Sequence, residues 1–260
     1  MKPTVLVLGI YLADRPNLAE HLVESFASSQ DFLVDQRWIA LLGAPPTPDV
    51  AAVTVCVKRS RTPKFTLINY LLASNAWRLY DFVVISDDDI ALPDGFLDRY
   101  LTIQRECGFA LAQPARAHGS YVDHPITEQV DDLRARETRF VEIGPLFSVT
   151  RDFMPTIAPF DESAPMGWGL DSVWPVIAAR HGNRLGIVDE TPVEHSMRKP
   201  VSSYDYDTTY AQMCLFLERH PHLKKEDSQV IINAYPMEYD ASYDSDHIHG
   251  DGIPTYTDAL

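Results

Sequence analysis

Tyr80-Asp81-Phe82-Val83-Val84-Ile85-Ser86-Asp87-Asp88-Asp89-Ile90 decides how this chain is read. Its β-branched apolar middle reads as a buried strand, and three adjacent carboxylates at the strand's carboxyl end repel one another strongly enough to call for a positive partner. In α/β sheets ligands bind just beyond the carboxyl ends of the strands, so a divalent cation held between these aspartates and a ligand's phosphates accounts for the run. The plainer alternative is a strand running out into a solvated turn, and the sequence around it decides against that.

Upstream, Thr4 to Gly9 reads as a first strand and Asn17 to Ser29 as a helix with Leu18, Leu22 and Phe26 on one face. A second strand is predicted over 33–42, a Pro-rich loop over 44–49, a third strand over 51–57 and an apolar helix over 65–77. After the acid-terminated strand at 82–86, a helix is predicted from about Asp94, just after Pro93, burying Phe96, Leu97, Tyr100 and Leu101. A short strand over 109–113 follows. Such alternation predicts an α/β fold with a largely parallel sheet covered on both faces, its first hundred residues a nucleotide-binding half.

Beyond Arg116 the pattern changes. Residues 116–137 are polar and weakly periodic, which predicts an exposed loop or lid. Residues 140–150 return to strand character, 161–169 form a loop, a helix runs to about Arg180, and 184–188 is a further strand. After His195 come a Tyr/Asp-rich stretch, a helix around 208–219 and a polar tail to Leu260.

Composition narrows the partners. With 260 residues, 45% of them hydrophobic, the chain can bury a sizeable core, and 22 Lys+Arg against 37 Asp+Glu give a net charge of −15. That charge disfavours extended nucleic-acid contact or an anionic membrane surface, but not a single nucleotide held through a metal. Cys56, Cys107 and Cys214 are odd in number and far apart, as buried free thiols in a reducing compartment would be, so a cytoplasmic location is expected. The opening apolar run Thr4–Ile10 is too short for a signal segment, and no stretch approaches a membrane span.

Four segments carry the chemistry: the acidic triplet Asp87-Asp88-Asp89; Met166-Gly167-Trp168-Gly169-Leu170-Asp171; Val188-Asp189-Glu190-Thr191-Pro192-Val193-Glu194-His195; and Arg59-Ser60-Arg61-Thr62-Pro63-Lys64-Phe65 leading into Asn69. Together, in this order over roughly residues 4–200, they resemble the GT-A (Rossmann-like) class of nucleotide-sugar glycosyltransferases, and within it a group labelled a domain of unknown function. The resemblance implies a GT-A domain over 1–200, with a nucleotide-binding half of about 1–115 and an acceptor half of about 116–200, followed by a C-terminal helix and tail over 201–260.

The same resemblance implies the site. Asp87 and Asp89 would be the outer members of an Asp-x-Asp signature, completed by His195, that holds Mn²⁺ or Mg²⁺ against a sugar-nucleotide diphosphate, with a UDP-sugar the favoured donor. Asp88 would meet the ribose or a donor hydroxyl, Lys64 would offset diphosphate charge, and Tyr11, Asp14 and Arg15 would meet the nucleotide. Two glycines allow a sharp turn in which Trp168 stacks on a sugar ring, while Asp171 acts as general base toward a carbohydrate or other hydroxyl acceptor, with inversion. Glu162 is the reserve base, and Glu142 is either a buried structural acid or a sugar ligand.

Each reading has a plain competitor. Asp171 is equally placed to cap the helix that follows it, His195 to be a structural histidine, and the basic segment to be a solvated loop. His247 and His249 have ligand spacing but sit in a polar tail expected to be disordered. Two other functions share these residues: a nucleotidyltransferase, although Leu8-Gly9-Ile10-Tyr11-Leu12 is not its glycine-rich basic loop, and a non-catalytic nucleotide- or carbohydrate-binding protein.

Overall fold

The computed structural model describes residues 1–73, 76–199 and 204–237. β1 (Thr4–Leu12), β2 (Leu33–Leu41), β3 (Thr54–Lys58) and β4 (Phe82–Ser86) pair in parallel. Alternate β1 side chains serve opposite faces: Leu6, Leu8 and Ile10 join one core, while Val5, Val7 and Tyr11 join the other. Gly9 falls on the second face, where a Cβ would lie 2.1 Å from the Trp38 ring, so only glycine lets that indole lie flat on the neighbouring strand.

The sheet has nine strands, in the order β3-β2-β1-β4-β7-β5-β8-β6-β9, with β5 (Phe109–Arg116), β6 (Leu133–Thr138), β7 (Leu146–Thr150), β8 (Arg184–Val193) and β9 (Ile231–Pro236). β7 runs antiparallel between β4 and β5, β5 and β8 are parallel, and β6 runs antiparallel between β8 and β9. Helices cover both faces. The cluster that buries Val5, Val7 and Trp38 packs under α1 (Ala19–Ala27) and α4 (Phe96–Cys107). The opposite cluster packs under α3 (Lys64–Leu72) and α6 (Leu170–Arg180).

Several elements differ from the sequence reading. The Pro-rich loop holds α2 (Pro48–Val53), capped by Thr47 and begun by a proline at its first position, which shortens the third strand to Thr54–Lys58. The loop read over 116–137 contains a short 3₁₀ turn, Pro125–Thr127, and most of β6. Strand character over 140–150 narrows to β7. The tail contributes β9, a full strand of the same sheet, after α7 (Tyr206–Leu217) and α8 (Lys225–Ser228). His247 and His249 lie outside the described residues. All three cysteines are free thiols, and among the described residues no helix is long and apolar enough to cross a membrane.

Candidate active site

The acidic triplet leaves β4 at the end of the sheet where β1 also ends, and its three carboxylates turn to three different partners. Asp88 points inward, 3% exposed, where its Oδ2 accepts from the backbone N–H of Leu12 at 2.6 Å and its carbonyl accepts from Leu18 at 2.7 Å. It thereby ties the end of β1 to the start of α1. Asp87 lies 2.9 Å from Lys64 Nζ, which also donates to the Ile143 carbonyl at 2.9 Å. Gly144 closes that corner: a Cβ there would sit 2.8 Å from both Asp87 Oδ2 and Lys64 Nζ.

The cation that compensates Asp88 and Asp89 is Arg198. Its guanidinium pairs with both Asp88 oxygens, donates from Nε to Asp89 Oδ2 at 3.1 Å, and reaches the Pro16 carbonyl at 3.4 Å. Burial pushes the Asp88 carboxyl up to about 6, against the pull of Arg198. Burial acts the same way on Asp89, but His195 and Arg198 outweigh it and hold that carboxyl below the ordinary range. His195 Nε2 stands 3.5 Å from Asp89 Oδ2, and the backbone of His195 is fixed by Ser120 Oγ at 3.1 Å and by the Tyr121 N–H at 2.8 Å.

A carboxylate and an imidazole so placed suit a hard dication that draws its remaining ligands from a diphosphate. The expected trio of Asp87, Asp89 and His195 is not assembled, because Asp87 is turned to Lys64. Among the described residues no group of three or more acidic, His or Cys side chains is arranged around a metal position.

The Gly-Trp-Gly segment forms the turn into α6. Gly167 (φ 89°) and Gly169 (φ 96°) both occupy the left-handed region, and a Cβ on Gly167 would meet the Phe65 ring at 2.0 Å. Between them Trp168 is half-buried, donates from Nε1 to Tyr204 Oη at 3.2 Å, and meets Tyr206 edge-on at 5.3 Å. Gly169 is the residue before the helix, so Asp171 lies inside its first turn and is not the cap. Burial, with the negative charge of Glu142 added, pushes the Asp171 carboxyl up to about 7, although the N–H groups of the helix start pull it down. Glu142 is itself buried and paired with Arg116.

These groups share one cavity of about 1370 Å³, lined by Arg15, Lys64, Asp87, Asp88, Asp89, Trp168, Asp171 and His195. The sequence reading missed Arg116, His124, Arg198, Tyr204, Tyr206 and Lys225, which line it too. Three expected residues are absent from the wall. Tyr11 is buried on Trp38 with its hydroxyl 2.9 Å from Thr54 Oγ1, since β1 runs on to Leu12 and carries Tyr11 into the α1 face. Asp14 is exposed beside Arg15, and Glu162 is exposed and hydrogen-bonded to Thr66 and Asn69 of α3, at 3.3 and 3.1 Å. Glu162 is therefore spent on joining two elements.

The sequence matches no protein-family model and no curated protein. Solved structures do match. GalNAc-T7 with UDP, GalNAc and Mn²⁺ superposes with a TM-score of 0.56 at 10% identity, over 81% of this chain and 47% of the other, so this chain spans about half its length. Glucosyl-3-phosphoglycerate synthase from Mycobacterium tuberculosis, with Mn²⁺, UDP and phosphoglyceric acid, gives 0.54 at 16% identity over 90% and 87%. S. aureus TarS 1-349 with UDP-GlcNAc gives 0.54 at 12% identity over 87% and 69%. At such identities the likeness is one of fold, and the fold is that of the GT-A nucleotide-sugar glycosyltransferases.

Proposed function

We propose that this chain is a metal-dependent glycosyltransferase that moves a sugar from a nucleotide donor, UDP-linked as in the structures of like fold, to a hydroxyl of a carbohydrate or other acceptor, with inversion. One observation carries the reading: a single cavity holds the facing pair Asp89 and His195 together with Asp171, a carboxyl whose pKa of about 7 suits a base working near neutrality. In this reading the donor half is about 1–115 and the acceptor half about 116–200, and residues between 204 and 229 also line the cavity.

Asp89 and His195 would hold the cation, Mn²⁺ or Mg²⁺, which would offset the charge that develops on a departing nucleoside diphosphate. Lys64 and Arg198 supply fixed positive charge on the same side, and Arg15 lies where the nucleotide enters. Trp168 packs against a sugar ring. Asp171 accepts the proton of the acceptor hydroxyl as its oxygen attacks the anomeric carbon from the face opposite the leaving diphosphate. A direct displacement of this kind inverts the anomeric configuration.

The test is calorimetric titration of UDP in the presence and absence of Mn²⁺, followed by transfer assays with UDP-sugars. Metal-dependent UDP binding that is lost in Asp89→Ala is expected; UDP binding indifferent to both metal and Asp89 refutes the reading.

A further inference from the structure

We infer that the acceptor carries an anionic group, a phosphate or a carboxylate, and that Arg116, His124, Lys224 and Lys225 bind it on the Asp171 side of the cavity. The inference rests on the glycosyltransferase reading for the word acceptor; the anion site itself stands on the geometry below.

Arg116, at the end of β5, is 2% exposed and lines the cavity. Its Nη2 binds Glu142 at 2.5 Å and the Gly144 carbonyl, but among the described residues its Nη1 has no acceptor. A buried guanidinium N–H left without a partner is costly, so the position calls for an acceptor that the described residues do not supply.

His124 stands beside it. Gln229 Nε2 donates to His124 Nδ1 at 2.8 Å, which puts the ring proton on Nε2, and the ring packs on Phe140 at 4.7 Å. Burial holds this imidazole below its ordinary pKa, so it stays a neutral donor at pH 7. The same glutamine anchors the end of α8, whose other side is pinned where the Leu223 N–H donates to the Ser172 carbonyl at 2.9 Å, one residue from Asp171. Lys224 and Lys225 therefore stand against the turn that carries Asp171, both exposed, both on the cavity wall, and neither in an ion pair among the described residues.

Location assigns these cations to the acceptor. The donor's diphosphate has Lys64 and Arg198 at the acidic triplet, whereas Lys224 and Lys225 flank the group that must touch the acceptor hydroxyl. Charge agrees: the cavity lining carries eight Lys/Arg and eight Asp/Glu, so the whole excess of −15 lies elsewhere on the chain. An anion approaching this acidic protein meets a cavity wall that carries no net negative charge.

The experiment titrates inorganic phosphate, and separately acetate, into the full chain by calorimetry, with and without UDP and Mn²⁺. Arg116→Lys keeps a charge opposite Glu142 but removes Nη1, and the surface double variant Lys224→Gln/Lys225→Gln leaves the core untouched. Phosphate or acetate binding to wild type that weakens about tenfold or more in the double variant supports the site, and the tighter of the two ions names the acceptor's group. No binding of either ion to wild type, or unchanged binding in the double variant, overturns it. If Arg116→Lys does not fold, as judged by its thermal transition, the double variant alone decides. UDP binding on the same wild-type samples separates the two readings: its absence removes the glycosyltransferase and leaves the anion site judged on its own variants.

Discussion

Asp171 is the residue on which sequence and structure say most. Capping was the competing role, and it passes to Gly169, so a purely structural Asp171 would tolerate asparagine. As a base it would not: Asp171→Asn is expected to lower sugar transfer by roughly 10²–10⁴-fold with donor binding nearly unchanged, measured by steady-state kinetics and UDP titration. Because the ionised form is the active one, the wild-type rate should climb with pH through about 7 and level off above it, and the variant should lose that limb. Stability moves the opposite way. A carboxyl raised from its unfolded range to about 7 stabilises the fold while protonated, fully below about pH 4, and that contribution is lost as pH rises to 7. Asp171→Asn cannot ionise, so its melting temperature should exceed that of wild type by more at pH 8 than at pH 4.5. His195→Ala should raise the Mn²⁺ concentration needed for UDP binding by about tenfold or more, and a normal metal requirement would return His195 to a structural role. The triplet was legible as a charge problem, but its solution was not: Arg198 stands 110 residues beyond Asp88 in a segment that reads as surface. Tyr11 was misplaced for a smaller reason, a strand that runs three residues beyond the Thr4 to Gly9 read from the sequence.

Among the elements, the Gly-Trp-Gly turn is the most exacting. Gly167→Ala must both hold a φ near 89° and push the Phe65 ring, which the new Cβ would otherwise meet at 2.0 Å. A loss of about 2–4 kcal/mol is expected in urea unfolding, together with weaker sugar binding as Trp168 shifts. Of the parallel strands, β1 and β4 were the most readable, because each is buried on both faces almost throughout and is correspondingly apolar. β6 was not, since Leu133-Arg134-Ala135-Arg136-Glu137-Thr138 looks like a polar loop. Its Arg136 in fact points inside, 2% exposed, with Nη2 at 2.7 Å from the fully buried Asp189. A buried ion pair puts charged residues where the pattern demands apolar ones, and that erased the signal. β9 was hidden differently: it is an edge strand with Ile231 and Ile232 about half exposed, so it has no inward stripe to read.

At the scale of the molecule, the two proposed halves share one nine-stranded sheet. β7 comes from the second half yet separates β4 from β5, so a fragment ending at residue 115 has no strand between its last two. Fragment 1–115 is therefore expected to show no cooperative thermal transition by near-UV circular dichroism, whereas the full chain unfolds in a single step. Alternation of strands and helices along the sequence identified the α/β class, but not this insertion, because antiparallel pairing across the middle leaves no mark on either strand's composition. The arrangement of tryptophans has an optical consequence. Of the four, Trp38, Trp77 and Trp174 are at most 4% exposed, and Trp168 is the one that lines the cavity. The sealed indoles should emit in the blue and ignore acrylamide, so the red, quenchable fraction of the emission comes from the cavity wall, giving this chain a built-in, label-free gauge of whatever enters.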